Sequence, residues 1–130
     1  MENKINVQSQ TRAFDPAIIS ISKLRADFRD RVIAPGDPGY DAARTVFYGG
    51  VDRRPAAIIR VADASDVARV VSLARETGME LAIRSGGHSS VGHSVSDGGI
   101  VLDLAKMRDL QIDVRGRTAW AQTGLTAGEY

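Results

Sequence analysis

The sequence predicts an α+β domain, and three observations carry that prediction. An apolar run at residues 56–61, a helix-patterned segment at 63–78 and a second apolar run at 80–84 follow one another directly. Strand, helix and strand in about 30 residues make a βαβ unit, whose crossover is expected to be right-handed. A third apolar run, Ile100-Val101-Leu102-Asp103-Leu104, reads as a further buried strand. Residues 110–114 and 118–122 form two more strand segments around Arg115-Gly116-Arg117, which predicts a hairpin.

Each element has a local reason. Residues 1–13 are polar and aperiodic and read as a frayed terminus. Asp15 is expected to cap a helix with Pro16 at its first position, and Ile18, Ile21, Leu24 and Phe28 then share one face. Pro35-Gly36-Asp37-Pro38-Gly39 stops that helix. A short helix is expected over residues 40–46, with Phe47 and Tyr48 as core or edge packing. Asp52-Arg53-Arg54-Pro55 reads as a polar turn with both arginines in solvent.

Asp63 opens the βαβ helix, Asp66 follows three residues later as in a capping box, and Gly78 ends it. Val67, Val70, Val71 and Ala74 form its expected buried stripe. Asp97-Gly98-Gly99 is a turn, and residues 105–108 make another, with Asp103 ordering the nearby loop or capping that turn. Trp120 is expected in the core. Thr126 and Glu129 fit the Ncap and N3 positions of one more helix. The expected division is a tail and helix over residues 1–34 and a domain over residues 35–130.

Composition narrows the function classes. A chain of 130 residues is about one domain's worth. Seventeen basic and sixteen acidic side chains, in no long block, give no electrostatic argument for nucleic acid or a membrane surface as partner. Absence of cysteine excludes disulfides and thiolate metal sites. Residues 1–12 contain no apolar signal-peptide core, so the expected location is the cytoplasm.

The most informative stretch is Arg84-Ser85-Gly86-Gly87-His88-Ser89-Ser90-Val91-Gly92-His93-Ser94. Glycine and serine here can neither extend a strand nor begin a stable helix. The loop leaves the carboxyl end of a strand, where open α/β sheets bind ligands, and glycine lets backbone N–H groups approach an anion. It reads as a phosphate cradle for a nucleotide cofactor, with His88 placed for chemistry. The spacing of Gly86, Gly87 and Gly92 fits neither a P-loop nor a Gly-x-Gly-x-x-Gly fingerprint. Gly87-His88-Ser89-Ser90-Val91 is a rival, since it resembles a hydrolase nucleophile elbow with Ser89 as nucleophile. That reading needs a helix straight after the serine and a distant histidine as general base, whereas residues 91–99 read as loop and no histidine follows His93. A metal site from His88, His93 and Asp97 ranks lowest because no recognised ligand spacing is present, so no metal is expected.

The loop, followed by Gly98-Gly99-Ile100-Val101-Leu102-Asp103-Leu104 and Met107, resembles the FAD-binding domain shared by vanillyl alcohol oxidase, p-cresol methylhydroxylase and berberine bridge enzyme-like oxidases. Residues 52–60 and 119–124 also fit its bacterial members, so the likeness covers residues 35–130. The resemblance implies two α+β subdomains with FAD between them, of which this chain supplies the first. It implies that the loop wraps the FAD pyrophosphate and that His88 is the covalent attachment point on the flavin 8α-methyl carbon. Gly86, Gly87 and Gly92 would admit the cofactor, and Ser85, Ser89 and Ser94 would donate to phosphate. Arg84 would neutralise phosphate or, as the last residue of a strand, point to solvent. His93 is expected at the surface.

The family reaction passes a substrate hydride to flavin, with dioxygen as the expected oxidant. No catalytic base is recognisable, and a small-molecule substrate is expected only in a full-length enzyme. The chain is read as a truncated piece with little turnover of its own, prone to self-association through an exposed cleft face. The alternatives are a non-catalytic nucleotide-binding or oligomerisation module and the incomplete hydrolase.

Overall fold

Ile58, Ile59, Ile100, Val101 and Leu102 are the residues around which the chain closes, and they belong to two strands that lie side by side. The structure is a computed structural model and describes residues 19–129. Its main sheet contains β1 (Val32–Ile33), β2 (Ala57–Arg60), β3 (Leu81–Arg84) and β4 (Ile100–Asp103), in the order β1-β2-β4-β3. β4 is parallel to both β2 and β3, and β1 runs antiparallel to β2.

The βαβ unit is therefore present but split, because β4 inserts between its two strands. Burial explains the order. All four residues of β4 are buried, as a central strand requires, whereas β3 alternates and leaves Ile83 exposed at the edge. The apolar run at residues 100–104 marks a buried strand, but chain order alone does not place it between β2 and β3.

The two-residue period of the strands sorts their side chains into two cores. Ala57, Ile59, Ile100 and Leu102 face one layer, where they meet Leu24 and Phe28 of α1 (Ile21–Phe28) and Val70 and Ala74 of α3 (Ala64–Thr77). Ile58, Ala82 and Val101 face the other side. There the buried cover is Val46 and Val95, one on each of two loops, with partly buried Ala43 of a short helix packed beside them. The glycine-rich loop is thus part of the fold as well as its most accessible feature.

Helix ends follow local chemistry, with two corrections to the expected pattern. Asp63 accepts from the Asp66 N–H at 2.9 Å, and Gly78 closes α3 with a left-handed φ of 66°. Val71, expected in the buried stripe, is exposed, because Val70 takes the inward position and its neighbour is turned about 100° away. Asp15, Pro16 and Ile18 lie outside the described residues, and the described helix α1 instead starts after Ser20, whose hydroxyl accepts from the Lys23 N–H.

The short helix α2 (Tyr40–Arg44) follows Gly39, and the Tyr40 hydroxyl donates to the Pro55 carbonyl at 2.7 Å. Burial pushes the Tyr40 pKa up from its ordinary value. This contact joins α2 to the entry of β2.

β5 (Leu110–Asp113) and β6 (Thr118–Ala121) pair as the expected antiparallel hairpin. The Gly116 N–H donates to the Asp113 carboxylate, and Arg117 takes a φ of 51°. Trp120 is not in the core: it sits opposite Gln111 on this separate two-stranded sheet and is 56% exposed. The Glu129 carboxylate accepts from both the Thr126 N–H and hydroxyl at 2.8 Å, which gives the expected capping contact at a 3-10 turn, Ala127–Glu129. Among the described residues, no helix is long and apolar enough to cross a membrane.

Asp66 provides a test of these packing relations. Burial raises the pKa of its carboxyl, but the Arg31 hydrogen bond, the Ala62 N–H and the Arg31 and Arg69 charges together leave it below the ordinary value. A depressed folded pKa stabilises the protein above the unfolded value of about 3.9, and that stability is lost as pH falls through the folded value. Asp66→Asn is expected to lower unfolding stability by about 1–3 kcal/mol at neutral pH. Urea unfolding should show the difference narrowing in acid.

Candidate functional site

The carboxyl ends of β2, β3 and β4 meet around one carboxylate. The parallel register sets Asp103 beside both Arg60 and Arg84. Asp103 is 3% exposed and Arg84 7% exposed, and their side chains pair at 2.7 Å. The other Asp103 oxygen accepts from the Ala105 N–H at 2.9 Å, capping the following turn, and Arg60 approaches to 3.7 Å.

Arg84 also donates to the Ala43 carbonyl at 2.5 Å, so the end of β3 is tied to α2. It does not point to solvent, because burial beside a carboxylate of matching register is available to it. Its guanidinium already has two protein acceptors at the root of the glycine-rich loop.

From this anchor the loop rises through exposed Ser85 and Gly86 to buried Gly87, whose φ of 70° suits glycine. The Gly87 carbonyl accepts from the Phe47 N–H at 3.1 Å. Beyond it the chain turns twice, with the Gly92 N–H donating to the Ser89 carbonyl and the Val95 N–H to the Gly92 carbonyl. Arg53 fastens this part by donating to the carbonyls of Gly92 at 2.7 Å and Val95 at 3.0 Å. The expectation that Arg53 is merely solvated is therefore corrected, while Arg54 is exposed. Its backbone closes the far end of the loop: the Arg54 N–H donates to Asp97 and its carbonyl accepts from Gly98.

What remains unpaired defines the site. Among the described residues, the N–H groups of Gly86, Gly87, His88, Ser89, Ser90 and Val91 donate to no protein acceptor. No acidic side chain occurs between Ser85 and Ser96. A run of free N–H donors with small side chains and no carboxylate suits an anion such as pyrophosphate. Ser85 and Ser89 lie on this accessible part, whereas Ser94 is buried.

His88 is exposed, and its imidazole lies against the backbone of Gly86, where a Cβ would fall 2.5 Å from Nδ1 and Cε1. Gly86 is small because the histidine ring occupies that space. Phe47 flanks the same ring, with centroids 5.0 Å apart and planes at 55°. Phe47 is 67% exposed and Tyr48 is also exposed, so these aromatic residues are not core packing. The reason is that neighbouring Val46 fills the second core and leaves them outside it.

The rival chemistries find no support in this geometry. No helix follows Ser89, whose hydroxyl accepts from the His93 N–H at 3.1 Å within the turn. His93 is exposed, as expected. Among the described residues, no three histidine, aspartate or glutamate side chains gather as a metal would require.

Comparison with known proteins agrees with the loop's chemistry. Residues 55–129 match the FAD binding domain family. The chain is 42% identical over 98 residues to (R)-6-hydroxynicotine oxidase of Paenarthrobacter nicotinovorans, covering 75% of this chain and 21% of that protein. It is 36% identical over 85 residues to berberine bridge enzyme-like 9 of Arabidopsis thaliana, covering 64% and 16%. The crystal structure of 6-hydroxy-D-nicotine oxidase from Arthrobacter nicotinovorans superimposes with a TM-score of 0.65 at 44% identity, covering 68% of this chain and 19% of that one. The chain thus spans about a fifth of the length of these relatives. The chain, with its glycine-rich loop at the carboxyl ends of parallel strands, belongs to the FAD binding domain family of FAD-linked oxidases, whose cofactor is FAD.

Proposed function

We propose that this domain serves an FAD-dependent oxidase, with the loop from Ser85 to Ser94 gripping the FAD pyrophosphate and His88 bonded covalently to the flavin. The observation that carries this reading is the run of unpaired N–H groups from Gly86 to Val91, held open by contacts made elsewhere on the loop. Backbone donors fixed in advance bind an anion without the entropy cost of ordering long side chains. Ser85 and Ser89 add hydroxyl donors. Arg84, buried and bonded to Asp103 and the Ala43 carbonyl, acts from beneath by fixing the loop's root.

When bound, FAD supplies the acceptor for a substrate hydride. His88 supplies a nucleophilic imidazole nitrogen, exposed on the face of the loop from which the cofactor would approach. Gly86 leaves the ring its space. The likeness to (R)-6-hydroxynicotine oxidase favours an oxidase acting on a small molecule. Dioxygen is the proposed electron acceptor and the cytoplasm the proposed location. Ile112 and Val114, exposed on one face of the hairpin, supply an apolar surface through which this chain alone would self-associate.

Two variants separate binding from attachment. In the FAD-loaded protein, acid precipitation is expected to leave flavin fluorescence with the pellet of the wild type, and His88→Ala is expected to release it while still binding FAD. Flavin recovered wholly in the supernatant of the wild type would refute the covalent bond. Arg53→Ala removes the donor to Gly92 and Val95 and is expected to weaken FAD binding about tenfold, the loss of one to two hydrogen bonds' worth of preorganisation. Fluorescence titration of His88→Ala against Arg53→Ala/His88→Ala measures this without interference from attachment.

A further inference from the structure

An exposed histidine on a glycine-rich loop ordinarily samples several rotamers. His88 is instead held against two neighbours. Gly86 presents its bare backbone to the Nδ1 and Cε1 edge of the imidazole, and Phe47 packs its ring at 5.0 Å. Tyr48 meets Phe47 edge to face at 5.2 Å and 81°, so three rings form one row.

The placement of Phe47 is secured through its backbone. Its N–H donates to the Gly87 carbonyl, the preceding Val46 is buried against Ile58 and Val101, and Arg84 ties Ala43 to the root of the loop. The side chain nevertheless projects outward and is largely exposed. A phenylalanine in that position contributes little to the core, and its close aromatic neighbours are His88 and Tyr48.

We propose that Phe47 is a positioning residue for covalent flavin attachment: it orients the His88 imidazole before the bond forms. This inference rests on the reading of His88 as the attachment residue. In the net step one imidazole N–H bond and one flavin 8α-methyl C–H bond break, and one N–C bond forms. The two hydrogens and their electron pair pass by way of the flavin ring to dioxygen, which becomes hydrogen peroxide. Bond formation requires the nitrogen lone pair to be aimed at one carbon, so a ring held in one orientation reacts faster than one that rotates. Phe47 touches no reacting atom in this account and acts through His88.

The test compares wild type, Phe47→Ala and Phe47→Tyr as flavin-free protein supplied with FAD. Adduct is followed as flavin retained by acid-precipitated protein, and FAD affinity is measured on each variant in a His88→Ala background. Phe47→Ala is expected to form adduct about tenfold more slowly or worse, with FAD affinity within about threefold of its parent, and Phe47→Tyr is expected to restore the rate. In the flavin-free protein, NMR of the His88 ring should lose its aromatic shift and its contacts to residue 47 in Phe47→Ala.

An unchanged adduct rate in Phe47→Ala, or a loss explained by weaker FAD binding, overturns the inference alone. A wild type that binds FAD and forms no adduct overturns the attachment reading and this inference with it. Those two failures are told apart by the wild-type sample.

Discussion

The buried pair between Arg84 and Asp103 is the constraint on which the site depends. Parallel pairing of β3 and β4 sets the two residues side by side, and burial leaves neither charge access to bulk water. A buried pair of this kind is weak evidence for net stability, yet removing one partner costs about 3–5 kcal/mol because the other charge is stranded. Each partner makes a further hydrogen bond to the surroundings, Arg84 to the Ala43 carbonyl and Asp103 from the Ala105 N–H. The pair therefore specifies register, the path of the loop and the position of α2 together. It links sheet topology directly to the place where the cofactor is held.

The second constraint is that the loop helps to close the fold. Val95 and Val46 cover the sheet face presented by Ile58, Ala82 and Val101, and Arg53 clamps the loop carbonyls from outside. Carbonyl groups are thus used for anchoring while N–H groups between Gly86 and Val91 remain free. This division is what lets a glycine-rich segment be both ordered and receptive. Flexible glycines alone would lose too much entropy on ligand binding. The hairpin, by contrast, is a separate two-stranded sheet with large apolar side chains exposed.

Much of this could be read from the chain itself. Apolar runs located β2, β3 and β4, Asp63 and Gly78 bracketed α3, and the glycine-rich segment together with residues 98–104 pointed to FAD. Strand order was not legible: residues 100–104 read as a buried strand, but nothing local showed that it would insert between the two strands of the βαβ unit. Trp120 and Phe47 were misjudged for a related reason: sequence shows that a side chain is apolar, but only the surrounding elements determine whether anything covers it. The importance of Arg53 left no local signal, since its acceptors are backbone carbonyls of a loop some forty residues away. Arg84 was ambiguous until pairing register gave it Asp103.

The central claim is that the loop's free amides are the FAD pyrophosphate site. Amide hydrogen exchange across the loop, measured with and without FAD in the His88→Ala protein, tests it most directly. The account predicts rapid exchange at residues 86–91 without FAD, protection of about tenfold or more on binding, and little change in β4, whose amides are already paired. Equal exchange at residues 86–91 in the two states, with FAD demonstrably bound, would contradict it.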